Sequence, residues 1–238
     1  MEHEISRRNL LRTGVFGLAA GGAAVLTLRA DALPTKETAD VHDYQAFLDQ
    51  QGVPRVAPAG KWEPSYQDIL GPYHLAGAPF RGKVTPPLEP GKLLVIRGRV
   101  WAFDTKKPLA NALLDVWQAD AKGSYDLDDP AHPPKKADFK NRIRLLADET
   151  GYYEYETVFP GAYKVGAGPE SFRPAHIHYM IQANGYRKLV TQLYFKGDPY
   201  IARDRTASKS NLVIETERIQ TERGTYDLGT FDIVLEKA

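Results

Sequence analysis

From Leu93 to its C-terminus the chain alternates short apolar runs with turn signals. The runs are rich in Val, Ile, Tyr and Phe and show no long helical period, a pattern typical of sheets with short connections. They are KLLVIRGRVWAF, ALLDVWQAD, YYEYETVF, AHIHYMIQA, KLVTQLYF, SNLVIETERIQ and GTFDIVLEK. The pattern fits a sandwich or a barrel. We predict an all-β fold, an antiparallel β-sandwich with long loops, over residues 91–238.

Composition narrows the range of functions. The 238 residues suffice for one principal domain with a good core. Lys and Arg number 31 against 30 Asp and Glu, so there is no basic excess of the kind that phosphate-backbone binding requires, and we expect no nucleic-acid partner. The chain has no cysteine, so any metal must be bound through nitrogen and oxygen.

The residues before the apolar runs differ from them in composition. Residues 33–90 are rich in Pro, Gly and polar side chains, and only VHDYQAFLDQ resembles a short helix. We predict an N-terminal arm and loops that pack on the sandwich domain.

Residues 1–32 are predicted to be a targeting signal. Arg7 and Arg8 precede an apolar stretch from Gly14 to Leu28, which is followed by an A-x-A cleavage pattern. A membrane span is the alternative, but the stretch is short and rich in Gly and Ala, so we expect no stable span in the mature form. The pattern resembles a twin-arginine export signal, which implies a periplasmic or extracellular protein.

Two of the six histidines, His176 and His178, lie two residues apart in an apolar run. Residues i and i+2 of a strand point to the same face, so both imidazoles can reach one ion. A pair of structural histidines is the alternative reading of this spacing alone.

Two tyrosines upstream lie beside glycine or proline. Tyr125 is in KGSYDLDD and Tyr163 is in FPGAYKVGAGPE, both loop-like settings from which a side chain can point into a cavity. Each tyrosine taken singly is equally consistent with a structural role.

Taken in order, these tyrosines and the RPAHIH motif resemble the intradiol ring-cleavage dioxygenases, non-haem iron(III) enzymes that open catechols between their two hydroxyls. The resemblance implies that Tyr125, Tyr163, His176 and His178 bind Fe(III), and that Tyr163 leaves the metal to accept a substrate proton. Phenolates suit a hard ferric ion, and two of them limit the charge of a buried centre. The matching segments are LLDVWQADAKGSYD, NRIRLLADETGYYEYETVFPGAY, RPAHIHYMI and VTQLYF.

The resemblance also places Arg173 and Gln192 beside the substrate. Whether Gln192 can reach the metal depends on the hairpin at Asn184 and Gly185. A two-residue turn would put Gln192 on the wrong face, whereas a three-residue loop from Asn184 to Tyr186 would set it opposite His178. We predict the longer loop, because the resemblance needs Gln192 near the iron.

The segment ILGPYHLAGAPFR resembles a stretch that lines the substrate pocket in protocatechuate-type members. Gly71, Pro72 and Tyr73 are therefore expected to contact the substrate, and His74 is a reserve candidate for a ligand. The family pattern also includes three residues that we interpret as structural, namely Asp115, Trp117 and Asp120.

The resemblance implies a cis,cis-muconate-type product from a catecholic substrate and O2. The alternative is a secreted β-sandwich binding module that kept the scaffold without turnover.

All four ligands that the resemblance implies are present in this one chain, so the chain could form homo-oligomers.

Overall fold

A computed structural model of the chain describes residues 41–53, 56–58, 60–127, 131–168, 171–222 and 224–238. The predicted export signal at residues 1–32 lies outside this part. The chain divides into two units, one ending at Phe47 and the other comprising Leu48–Ala238. No helix in the described ranges is long and apolar enough to span a membrane.

The predicted short helix is present as α1, Val41–Gln50. Short 3-10 turns occur at Lys136–Asp138, Ile201–Arg203 and Ala207–Lys209. The strands in chain order are β1 (Leu93–Ala102), β2 (Leu113–Gln118), β3 (Arg142–Leu146), β4 (Tyr152–Val158), β5 (Tyr163–Lys164), β6 (Phe172–Arg173), β7 (His176–Gln182), β8 (Leu189–Phe195), β9 (Val213–Ile214), β10 (Thr216–Thr221), β11 (Gly224–Thr230) and β12 (Ile233–Leu235).

The longer strands form two sheets that pack as a sandwich. One sheet has the order β10-β11-β1-β12, with β4 also paired to β1, and the other has the order β3-β2-β7-β8-β9. A separate ribbon joins β5 to β6. The prediction of an all-β sandwich is confirmed.

Pairing within the sheets is mixed, which the sequence pattern did not predict. Strand β1 pairs in parallel with both β11 and β12, and β8 pairs in parallel with β9. Parallel neighbours need a long crossover connection, and most of the domain lies between β1 and β11.

Several strand predictions differ from the structure, and β3, β5 and β6 fall outside the predicted apolar runs. The run SNLVIETERIQ is two strands, because β9 pairs with β8 of one sheet and β10 pairs with β11 of the other. Strand β11 was not predicted, since GTYDLGT has few β-branched apolar residues. Its hydrogen bonds to β10 on one side and β1 on the other establish it as a strand.

Alternation along the strands separates the core from the second face of the β2–β7 sheet. Ile177, Tyr179 and Ile181 point between the sheets and join the main core, together with Leu114 and Val116 of β2. The intervening residues of these strands point to the opposite face. There a smaller apolar cluster gathers Trp117, Ala119 and Tyr125, packed against Tyr73, Tyr163 and Met180.

Candidate metal centre

Strand β7 presents His176 and His178 on the face that carries the smaller cluster. Their Nε2 atoms lie 3.1 Å apart, and each residue is only 2% exposed. The two-residue spacing therefore brings the imidazoles to one point, as predicted.

Both histidines are held in the neutral form. Burial, reinforced by the charge of Arg173, lowers the pKa of His176 to about 4. Burial and the neighbouring His176 lower the pKa of His178 well below its usual value. His176 Nδ1 donates a hydrogen bond to the Pro174 carbonyl at 2.6 Å, so its Nε2 carries the free lone pair that a metal ligand needs.

Tyr125 reaches the histidines from the loop after β2. Its hydroxyl lies 3.2 Å from His176 Nε2, and the residue is 8% exposed. Burial, with the nearby Tyr163, raises the pKa of Tyr125 far above its ordinary value, so the phenolate requires a cation.

A buried ion pair anchors the Tyr125 loop. Arg142 forms a salt bridge with Asp126, the residue after Tyr125, and it donates to the Tyr73 carbonyl at 2.9 Å. Tyr73 stacks on Tyr125 with ring centroids 4.1 Å apart.

Tyr163 lies in β5, directly opposite Arg173 of β6. Its ring is 5.6 Å from both the Tyr125 ring and the His176 ring, centroid to centroid. The residue is half-buried. Burial raises the pKa of Tyr163, while the charge and hydrogen bond of Arg173 oppose that rise.

A glycine permits the two tyrosine segments to meet. Gly123 has φ +85°, and a Cβ there would lie 2.2 Å from the Ala162 carbonyl oxygen. Any side chain at this position would push the Tyr125 loop away from the segment that carries Tyr163.

The donor set fits a hard metal ion. Neighbouring ligands that bind one ion at about 2.1 Å lie about 3 Å apart, and both nitrogen–nitrogen and oxygen–nitrogen separations here are close to that value. His178 Nδ1 is buried and has no hydrogen-bond partner in the described part of the chain. No donor to Nδ1 therefore forces the imidazole proton onto Nε2, the nitrogen that would bind the metal. Tyr125, His176 and His178 could therefore hold a metal, with Tyr163 beside them.

Arg173 is fixed by a buried polar network next to these side chains. Its Nε donates to Asp204 at 2.9 Å, and its terminal nitrogens donate to Gln192 Oε1 at 3.0 Å and to Tyr194 Oη at 2.7 Å. Tyr194 in turn donates to Asp68 at 2.6 Å. These contacts occupy most of the guanidinium, which makes Arg173 an oriented positive charge.

A cleft of about 490 Å³ opens beside the site. Tyr125 and Tyr163 line it, together with Pro72, Tyr73 and Phe172. A cleft of this size can admit a small planar ring beside the two tyrosines.

A dioxygenase family model matches residues 69–237, which include every residue of the site described above except Asp68. The match covers well over half of the chain. The protein belongs to the intradiol ring-cleavage dioxygenase family.

Individual relatives agree with this family membership. The chain is 37% identical to chlorocatechol 1,2-dioxygenase of Rhodococcus opacus over 74% of each protein. It is also 37% identical to catechol 1,2-dioxygenase 2 of Acinetobacter lwoffii, over 66% of this chain and 61% of that protein. It therefore spans less than two thirds of that relative.

A solved structure extends the comparison. The dioxygenase domain of a dioxygenase carbohydrate-binding protein fusion from Streptomyces sp. SirexAA-E superposes with a TM-score of 0.60 at 32% identity. The match covers 74% of this chain and all of that domain.

In this dioxygenase-family protein, the structure brings together most of the residues singled out from the sequence. The hairpin prediction is confirmed, because β7 and β8 pair His178 with Gln192. Tyr163 was expected in a loop but lies in a short strand. Pro72 and Tyr73 line the cleft, whereas Gly71 packs against His178.

His74 and the three residues interpreted as structural lie around the site. His74 Nε2 is 3.5 Å from Asp115, and its ring packs on Trp117. The Asp120 carboxylate accepts hydrogen bonds from the backbone nitrogens of Lys122 and Ser124, which shapes the turn before Tyr125.

Sequence reasoning missed the residues that support the site. Asp204, Tyr194 and Asp68 position Arg173, and Arg142 anchors the Tyr125 loop. Asp68 and Asp204 are far from Arg173 along the chain, and no local spacing connects them. The sequence signal available was weak: Tyr194 is two residues from Gln192 on the same strand face.

Proposed function

We propose that this protein is a non-haem iron(III) dioxygenase that cleaves a catecholic ring between its hydroxyls with O2, giving a cis,cis-muconate-type diacid. The observation that carries the proposal is the convergence of Tyr125, His176 and His178, with the Tyr163–Arg173 pair beside them, where the two tyrosines line an open cleft.

Tyr125, Tyr163, His176 and His178 would hold the metal. Iron(III), when bound, would supply a hard Lewis acid that binds catechol oxygens and activates the ring toward O2. The neutral imidazoles add no charge, so two phenolates offset most of the ferric charge in a buried setting.

Tyr163 is the residue best placed to receive a substrate proton. It lines the cleft and is half-buried, whereas Tyr125 is nearly covered. Because burial raises its pKa, the Tyr163 oxygen retains a proton readily once it is no longer bound to a cation.

Arg173 provides fixed positive charge where the substrate gains negative charge. Its hydrogen bonds with Asp204, Gln192 and Tyr194 fix the guanidinium, so little reorganisation is needed during the reaction.

The decisive experiment is oxygen uptake over a panel of catechol, protocatechuate and hydroxyquinol, with identification of the products. We expect consumption of O2 and a colourless, ultraviolet-absorbing muconate from catechol. A yellow semialdehyde would show cleavage beside the hydroxyls and would overturn the proposal. Purified protein that is iron-free, colourless and inactive would favour the alternative of a binding module.

Asp204→Asn should lower kcat/KM for the best catechol by about 10- to 100-fold, because a hydrogen bond to a charged partner contributes about 1.5–3 kcal/mol. Asp204 is 8% exposed in its salt bridge with Arg173. The matched control is Asp227→Asn, a buried carboxylate that pairs with Lys92 and Arg218 in the other sheet. Equal losses of activity in both variants would show a general stability effect and contradict the role of Asp204.

Export is a separate part of the proposal and rests on the twin-arginine pattern in residues 1–32. A chain that begins at Leu33 should fold and bind iron as the full chain does, since the sandwich lies wholly downstream of it. Solubility and iron content of the two chains test this expectation. Aggregation of the shortened chain alone would contradict it.

A further inference from the structure

His176 and His178 are oriented in different ways. His176 is fixed by the hydrogen bond from its Nδ1 to the Pro174 carbonyl. His178 Nδ1 is equally buried but has no such partner among the residues that the structure describes. A ligating histidine usually has its second nitrogen hydrogen-bonded, which sets the plane of the ring. Some other contact must orient His178.

Trp117 covers one face of the His178 ring. The two rings are parallel within 4°, with centroids 4.9 Å apart. The contact follows from the sheet, because β2 and β7 place Trp117 directly opposite His178. Trp117 is itself buried, and the His74 ring packs on it with centroids 4.8 Å apart.

Gly71 closes the Cε1 edge of the same ring. A Cβ on Gly71 would lie 3.2 Å from His178 Cε1 and 3.7 Å from the ligating Nε2. The first distance is tighter than an ordinary van der Waals contact, and Trp117 stacks on the same ring. A side chain at position 71 would therefore turn or displace the imidazole.

We infer that Gly71 and Trp117 are positioning residues that orient the His178 imidazole toward the metal by packing instead of by a hydrogen bond. This gives Gly71 a role other than substrate contact and gives Trp117 a specific function beyond filling the small cluster. The inference rests on the proposed metal centre.

The first test compares Trp117→Phe with Trp117→Leu. Phe keeps a flat ring against His178, whereas Leu fills space without stacking. Each protein is loaded with iron(II) in air, and the loss of its visible absorption in excess EDTA gives the rate of iron release. We expect Trp117→Leu to release iron about 10- to 100-fold faster than wild type, as for loss of an outer-shell partner, and Trp117→Phe to stay within about threefold.

Urea unfolding of the metal-free variants separates positioning from general stability. The inference requires that the difference in iron release between Phe and Leu exceed any difference in metal-free stability. Equal iron release by the two variants, whether fast or slow, would overturn the role of Trp117.

The second test compares Gly71→Ala with Gly185→Ala. Both glycines have left-handed backbone, with φ +72° and +81°, so alanine introduces similar strain at each. A Cβ at Gly185 meets nothing within 4 Å. We expect Gly71→Ala to release iron about 10-fold faster or more, while Gly185→Ala releases iron at the wild-type rate.

Failure of this inference can be distinguished from failure of the proposed function. A wild-type protein that takes up no iron would overturn both the proposed function and the inference. If wild type binds iron and Gly71→Ala releases it no faster than Gly185→Ala, only the role of Gly71 is overturned. If Gly71→Ala does not fold, the Trp117 pair still decides whether packing orients His178.

Discussion

Replacement of His178 by alanine is expected to leave the purified protein almost free of iron and to lower catechol turnover by more than about 100-fold. Loss of a residue that merely supports a metal ligand costs about 10- to 100-fold in affinity or activity, and loss of a ligand should cost more. Iron content and steady-state oxygen uptake are the measurements.

His132→Ala provides a control, because His132 is exposed. It should retain iron and activity. Urea unfolding of the metal-free wild-type and His178→Ala proteins measures the separate loss of stability expected when a buried imidazole is truncated, since the change leaves a cavity beside Trp117. Wild-type turnover in His178→Ala would contradict the ligand assignment.

Tyr163→Phe is expected to keep most of the iron while kcat falls by about 10²- to 10⁴-fold, the usual contribution of a positioned proton acceptor. Tyr125 and both histidines still surround the proposed metal position, but the oxygen proposed to receive the substrate proton is gone. Iron content and kcat for catechol, measured on the same preparation, check this expectation.

The control for this prediction is Tyr226→Phe, in β11 of the other sheet. It should match wild type in both measurements. Tyr125→Phe offers a contrast at the site, and we expect it to lose iron as well as turnover because Tyr125 is the phenol in contact with His176. Iron loss from Tyr163→Phe equal to that from Tyr125→Phe would show that the two tyrosines do not have separate roles.

Features of this protein that depend on local pattern could be predicted from the sequence. Alternating and β-branched runs indicated most strands, and the two-residue period of a strand placed His176 and His178 on one face. With a three-residue loop, the two-residue period of the paired strands also predicted that Gln192 lies opposite His178. In each case the deciding interactions lie within one strand or one hairpin.

Contacts between distant segments were decided by the tertiary structure. Strand β11 exists because β1 and β10 flank it, and β5 exists because β6 sets Arg173 opposite Tyr163. The anchoring of Arg173 by Asp204, and of the Tyr125 loop by Arg142, likewise joins residues that no sequence period relates.

The sequence by itself determined which residue types are available to a metal and on which strand face the histidine pair lies. Only the tertiary structure decided how those side chains are held, for instance that Gly71 and Trp117 enclose His178. The physical reason is that backbone periodicity sets the direction of a side chain along its own strand, whereas its partners depend on which distant segments pack against that strand.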